Sequence, residues 1–292
     1  MSWMEAICSR LSADAAALLE EIGYKRADSM EEIRFRTGCR TEFVVNGSSV
    51  WMGSIFGRTE MDELVAALSG YALYSCERQI AEGYIPLPGG HRAGVCGKMT
   101  CTENGKAQMH EITSVCIRIA RNIPDCDIEA RPWYCSGNQI LNTLLLSLPG
   151  CGKTTMLRSI ALYLSRERGF HVCAVDERQE FFGGVTCDAD CRLDVLSGMN
   201  KAQAMPILIR SMAPQVMVID EIGRPEDADA VRDAARCGAA VFASAHGACI
   251  EDVYFRPMLR QMYKEAVFKR YILLGRKGTV MHVWDELGNK LL

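Results

Sequence analysis

The sequence predicts an α/β protein, with a mostly parallel sheet covered by helices on both faces and a smaller α+β domain in front of it. Two observations carry this. From Ile140 onward, apolar strands alternate with amphipathic helices, and several of the strands are apolar throughout, as expected when both sheet faces are covered. Before Pro124, short strands of alternating polarity mix with helical stretches instead. A polar, proline-bounded stretch from Pro124 to Pro132 reads as a linker. We place an N-terminal α+β domain over 1–128 and the larger α/β domain over 129–292.

In the first domain, Asp14 to Ile22 reads as a short amphipathic helix. Glu32 to Arg36 alternates, so Ile33 and Phe35 face a core while Arg34 and Arg36 face outward. A short strand follows at Phe43 to Val45. Met61 to Leu73 has helical spacing, with Leu64, Val65, Leu68 and Leu73 apolar. Pro86 to Gly90 is a turn, and Val115 to Arg121 is an alternating strand. In the second domain, strands are expected at Ile140 to Leu146, His171 to Asp176, Val216 to Asp220 and Ala239 to Ala245. Helices are expected at Lys153 to Arg168, closed by Gly169, and at Lys201 to Met212, where Pro206 interrupts the helix or limits its first turn. Another helix starts at Pro225 and ends at Cys237-Gly238.

Composition narrows the function. The chain has 292 residues, a net charge of −3 and a pI near 6.0, which does not suit a duplex-DNA binder. The longest apolar run, Ile140 to Leu148, falls far short of the roughly 20 residues that cross a bilayer. The first residues lack the pattern of an export signal. A cytoplasmic protein is expected, with any membrane attachment made through a partner. Fourteen cysteines include no Cys-x-x-Cys pair; Cys96/Cys101 and Cys187/Cys191 come nearest to it. Small buried thiols in a reducing compartment are the simpler reading.

The chemistry is carried by Ser147-Leu-Pro-Gly-Cys-Gly-Lys-Thr-Thr, which joins an apolar strand to an amphipathic helix. Backbone N–H groups from Gly150 to Lys153, with the helix N-terminus, can surround a polyphosphate. The loop set is Ser147, Pro149, Gly150, Cys151, Gly152, Lys153, Thr154 and Thr155. Lys153 would reach the β- and γ-phosphates, and the Thr154 hydroxyl would ligate Mg²⁺. Ser147 stands where this loop pattern has its first glycine, which puts the loop entry in question. Val216 to Glu221 is an apolar strand that ends in two acids. At the end of a strand beside the loop strand, Asp220 would hold the Mg²⁺ shell and Glu221 would orient or deprotonate water. His171 to Arg178 has the same form, so Asp176 and Glu177 would meet at the same metal–phosphate site. Either Glu177 or Glu221 could be the base, and Glu221 is preferred. His246, at the end of the next strand, is a candidate γ-phosphate sensor.

Together these motifs resemble the stage III sporulation protein AA family, a branch of the type II/IV secretion ATPase superfamily. The resemblance rests on Glu32-Ile-Arg-Phe-Arg-Thr-Gly, Gly83 to Gly94, Ile117-Arg-Ile-Ala-Arg, Val175-Asp-Glu-Arg, Ile209 to Pro214, Ile219-Asp-Glu-Ile-Gly-Arg and Ser244-Ala-His-Gly. It implies a RecA-like ATPase core, ATP and Mg²⁺ as ligands, and a ring, expected to be a hexamer. It also implies a mother-cell role in endospore formation, powering or gating a secretion-like channel through membrane-embedded partners. In family terms Asp176 and Glu177 form the acidic box, Asp220 and Glu221 the Walker B box, and His246 the histidine box. Arginine fingers are sought among Arg92, Arg118, Arg121 and Arg224. Two other readings compete: a motor stimulated by single-stranded nucleic acid, and a nucleotide-gated scaffold with little turnover. The first lacks a basic and aromatic platform, and the intact Asp220-Glu221 pair weighs against the second.

Overall fold

A computed structural model describes residues 3–22, 29–101, 107–120, 125–177, 181–182 and 190–292. They fall into two compact units, one reaching to Ala120 and the other starting at Asp125.

The first unit is built on an antiparallel sheet. Its strands are Met30–Arg36 (β1), Thr41–Val45 (β2), Ser48–Met52 (β3), Tyr84–Pro86 (β4), Arg92–Cys101 (β5) and Ala107–Arg118 (β6). Among the described residues their order is β3-β2-β1-β6-β5-β4. The alternation in β1 has the expected result. Ile33 and Phe35 are buried, while Arg34 pairs with Glu32 and Arg36 with Glu42. Trp3–Cys8 (α1), Ala13–Glu21 (α2), Arg58–Leu68 (α3) and Glu77–Ala81 (α4) complete the unit, and Ile7, Leu19, Met61 and Leu64 share its core. The α3 helix stops at Leu68, before the Leu73 expected from its spacing. Gly70 and Tyr71 take left-handed φ values of 66° and 60°, and the Tyr71 N–H closes back on the Ala66 carbonyl at 2.7 Å.

The second unit begins with Arg131–Tyr134 (α5) and a small hairpin of Cys135–Ser136 (β7) and Gln139–Ile140 (β8). Then come Thr143–Ser147 (β9), Lys153–Arg166 (α6), Val172–Asp176 (β10), Leu193–Ser197 (β11), Lys201–Met212 (α7), Val216–Ile219 (β12), Pro225–Arg236 (α8) and Ala240–His246 (β13). Glu251–Phe255 (α9), Pro257–Lys264 (α10), Arg270–Leu274 (β14) and Val280–Asp285 (β15) finish the chain. The sheet runs β11-β10-β12-β13-β9-β14-β15 among the described residues, parallel except for β15. One expectation needs correction: β12 does not lie beside the loop strand β9, because β13 runs between them.

Both faces of this sheet are covered. Leu144, Leu146, Val175, Ile219 and Ala243 join an apolar cluster with Met205 and Leu208 of α7, Val231 of α8 and Met262 of α10. Neighbouring positions point the other way, where Phe242 meets the Tyr134 ring at 5.2 Å. The α7 helix runs unbroken through Pro206. An interior proline costs about 3 kcal/mol. Burial of Met205 and Leu208 contributes roughly 1.5–3 kcal/mol each, and the Asn200 cap, whose side chain accepts from the Gln203 N–H, about 1 kcal/mol. Packing therefore outweighs the proline. Among the described cysteines all thiols are free, but only Cys173 is fully buried, while Cys96, Cys101 and Cys237 are exposed; Cys187 lies outside the described residues.

The stretch read as a linker belongs, from Asp125 on, to the second unit. Asp127 is fully buried. Its carboxylate accepts from Arg131 Nε and Nη2, both at 3.0 Å, and from Tyr134 Oη and Ser159 Oγ, both at 2.6 Å. Ser159 lies on α6, so this segment is fastened to the helix that follows the phosphate loop. Burial beside Asp127 pushes the Tyr134 hydroxyl pKa up, so the phenol stays a donor. Replacing Asp127 with Ala would strand the buried Tyr134 and Ser159 hydroxyls and leave the half-buried Arg131 guanidinium with Asp125 alone. Stability should fall by about 3 kcal/mol, read from the urea midpoint of the transition that reports the second unit; a change below about 0.5 kcal/mol would contradict this.

Candidate active site

The carboxyl ends of β9, β12 and β13 lie at one edge of the sheet, and the loops that leave them meet there. Ser147 closes β9, and the loop to α6 bends through Gly150 and Gly152, whose φ values of 76° and 93° suit glycine. Ser147 needs no such angle. It stays in strand conformation, so its replacement of the pattern's glycine has no conformational cost. Its hydroxyl donates to the Leu148 carbonyl at 2.8 Å and accepts from Lys153 Nζ at 3.1 Å. Pro149 and Gly150 are exposed. The Thr155 carbonyl accepts from the Cys126 thiol at 3.5 Å.

Lys153 opens α6 and is only 8% exposed. Its ammonium donates to the Ser147 and Leu148 carbonyls at 3.2 and 3.3 Å and to His246 Nδ1 at 3.0 Å. Burial pushes its pKa down, and Glu221 and Asp220 act against that shift. An ammonium has no acceptor, so His246 Nδ1 must accept and Nε2 must carry the hydrogen. Nε2 lies 3.0 Å from Glu221 Oε1. Lys153, His246 and Glu221 thus form one chain of hydrogen bonds.

A second chain runs through Asp220. Thr154 Oγ1 donates to its Oδ2 at 3.0 Å. Its Oδ1 accepts from Ser244 Oγ at 2.8 Å and from the Glu221 N–H at 2.9 Å, and that N–H is shared with Ser244 Oγ at 3.0 Å. A hard cation fits here. Thr154 and Asp220 present oxygen donors beside a lysine and a loop built for phosphate. No group of three or more His, Cys, Asp or Glu residues among the described ones forms a metal cage. Such a site suits Mg²⁺, which takes few protein ligands and completes its shell with phosphate oxygens and water.

The other acidic pair is engaged elsewhere. Asp176 is buried, and its Oδ2 accepts from the Phe181 and Phe182 N–H groups at 3.0 and 2.8 Å. Nearby Arg158 is also buried and donates to the Phe181 carbonyl. Glu177 pairs with Lys201 Nζ at 2.5 Å. Lys201 sits at the start of α7, and the helical spacing of that segment gave no sign of the contact. Ser244 was also hidden, as one hydroxyl in an apolar strand. A third contact came from the far end of the chain. The turn between β14 and β15 reaches the phosphate loop, where the Gly278 N–H donates to the Cys151 carbonyl at 2.9 Å.

The candidate arginines are scattered. Arg92 lies 4.7 Å over the Tyr84 ring, and Arg118, its partner across the β5–β6 ladder, is 3.4 Å from Glu32; both belong to the first unit. Arg224 precedes α8, where its N–H donates to Asp227 Oδ2 at 3.0 Å, and the residue is exposed. Arg121 lies outside the described residues.

Comparison with known proteins bears on the fold and the family. The ATPase DotB of Yersinia pseudotuberculosis is similar in structure, with a TM-score of 0.65 at 15% identity over 95% of this chain and 81% of that one. The pilus retraction motor PilT with bound ADP gives 0.58 at 16% identity, over 87% and 77%. These likenesses show the fold, a RecA-like P-loop core preceded by an antiparallel-sheet domain. Stage III sporulation protein AA of Bacillus subtilis (strain 168) is 35% identical over 99% of this chain and 97% of its own length. The family described as sporulation stage III, protein AA matches residues 1–291. The chain therefore belongs to the sporulation stage III, protein AA family.

Proposed function

We propose that the chain hydrolyses ATP at the Gly150–Thr155 loop and acts as the motor of a membrane-embedded, secretion-like complex in sporulation. One observation carries this reading: Lys153, Thr154, Asp220, Glu221 and His246, from three strand ends, are joined by hydrogen bonds of 3.0 Å. The loop N–H groups and Lys153 bind the phosphates. Thr154 and Asp220 would hold Mg²⁺, which would supply charge neutralisation to the bound polyphosphate.

Glu221 is the base in this reading. Its side chain is 44% exposed and is held by the His246 ring, so water can reach it. Glu177 is tied to the Lys201 ammonium at 2.5 Å, which takes up its Oε2. Lys153 must give up its bond to His246 as phosphate arrives, and His246 can then report an occupied γ-position to Glu221. That is the role we assign to His246. Asp176 acts at one remove, by fixing the backbone after β10.

A ring, taken to be a hexamer, would bring an arginine from a neighbouring copy to the phosphates, with Arg92, Arg118, Arg121 and Arg224 as the candidates. No helix among the described residues is long and apolar enough to cross a membrane. Work on a membrane complex therefore passes through a partner protein, at the cytoplasmic face of the mother-cell membrane.

Glu221→Gln should bind ATP normally and lose about 10²–10⁴-fold in turnover, as loss of a positioned base does. Glu177→Gln should lose far less. Phosphate release from both variants decides between them, and the reverse ranking would make Glu177 the base. Lys153→Ala should lose ATP binding in equilibrium titration, because both the phosphate partner and the organiser of the loop are gone; unchanged affinity would contradict the phosphate-loop assignment.

A further inference from the structure

The strand beside β9 on the far side from the acids is β14. It runs parallel to β9, with Leu273 opposite Leu146, so the turn that leaves it emerges at the same sheet edge as the phosphate loop. That turn, Gly275 to Thr279, is closed by the Gly275 N–H donating to the Thr279 carbonyl at 2.8 Å, and by Thr279 Oγ1 donating to the Arg276 carbonyl at 3.0 Å. It is seated directly on the loop. The Gly278 N–H donates to the Cys151 carbonyl at 2.9 Å, and a Cβ on Gly152 would come within 3.3 Å of Gly278 N.

The turn carries Arg276 and Lys277. Both are exposed, and neither forms an ion pair among the described residues. Lys277 has φ +60° and ψ 22°, a left-handed backbone where glycine or asparagine would sit with less strain. A long cationic side chain is thus kept at a strained position a few ångströms from a phosphate loop, and strain of this kind gathers at functional sites.

Direction along the nucleotide follows from strand order. Glu221, Asp220 and His246 stand on the β12–β13 side of the loop, so the γ-phosphate lies there. The β14 turn flanks the opposite side, towards the nucleoside. Resting on the proposal of ATP binding, the geometry points to Arg276 and Lys277 as binding residues for the α-phosphate end of the nucleotide, supplied from the same chain. They therefore grip ATP and ADP alike and do not read the γ-phosphate.

The test is equilibrium binding of ATP and of ADP to the full chain and to Lys277→Gly, Lys277→Arg and the double variant Arg276→Ala/Lys277→Gly. Glycine accepts the positive φ, so the Lys277→Gly chain should unfold at the same temperature as the wild type or higher. The double variant should bind ATP and ADP about tenfold more weakly, by the same factor for both, as expected when charge-assisted contacts are lost. Lys277→Arg should stay within about twofold of the wild type. Unchanged affinities in the double variant would overturn the assignment, and so would a loss confined to ATP. A wild-type chain that binds no nucleotide would instead remove the ATP reading and this inference together, a result distinct from normal wild-type binding with insensitive variants.

Discussion

The site depends on one buried ammonium. Lys153 starts a helix whose dipole repels positive charge, in a place where burial penalises it further. It is held because the end of β9 and the loop entry turn carbonyls inward and because β13 brings an imidazole nitrogen into range. The ammonium in turn fixes the His246 tautomer, and that tautomer fixes Glu221. The arrangement exists only because β13 is inserted between β9 and β12. Were β12 the direct neighbour of β9, Asp220 would reach the loop but no ring would link Lys153 to the glutamate.

The two acidic pairs look alike in sequence and differ in surroundings. Asp220 shares its oxygens among Thr154, Ser244 and the next peptide N–H, so its carboxylate is oriented and still able to accept a metal. Asp176 is turned onto two backbone N–H groups and acts as a structural clasp. Glu177 carries a lysine on its carboxylate, whereas Glu221 carries a neutral ring. Identical Asp-Glu pairs at the ends of parallel strands can thus take different roles, set by the element packed against each.

Much of this was legible in the residues. The strand–loop–helix around Ser147 to Thr155, the acids after β12 and the histidine that ends β13 all announce themselves locally, because phosphate binding needs residue types at short spacing. Apolar strands marked the sheet interior for the same reason. Contacts between distant segments were not legible. Lateral strand order follows from long-range pairing, and local patterns do not encode it. The β14 strand, Arg270-Tyr-Ile-Leu-Leu, looks like many apolar runs, and nothing in it says that it flanks β9. The Lys201–Glu177 pair joins residues 24 apart across a parallel ladder. The segment after Pro124 has a linker's composition, yet Asp127 takes three donors from Arg131 and Tyr134 and a fourth from Ser159 once α6 is folded over it. Polar residues mark a linker only when nothing later in the chain satisfies them.

The central claim is that these strand ends form a single metal–triphosphate site. Crystallography of the chain with Mg²⁺ and a non-hydrolysable ATP analogue tests it most directly. The account predicts the metal on Thr154 Oγ1 with Asp220 in its shell, Lys153 Nζ on the β- and γ-oxygens, and the γ-phosphate facing Glu221. A nucleotide bound elsewhere, or a metal held by Asp176 and Glu177 away from Thr154, would contradict it.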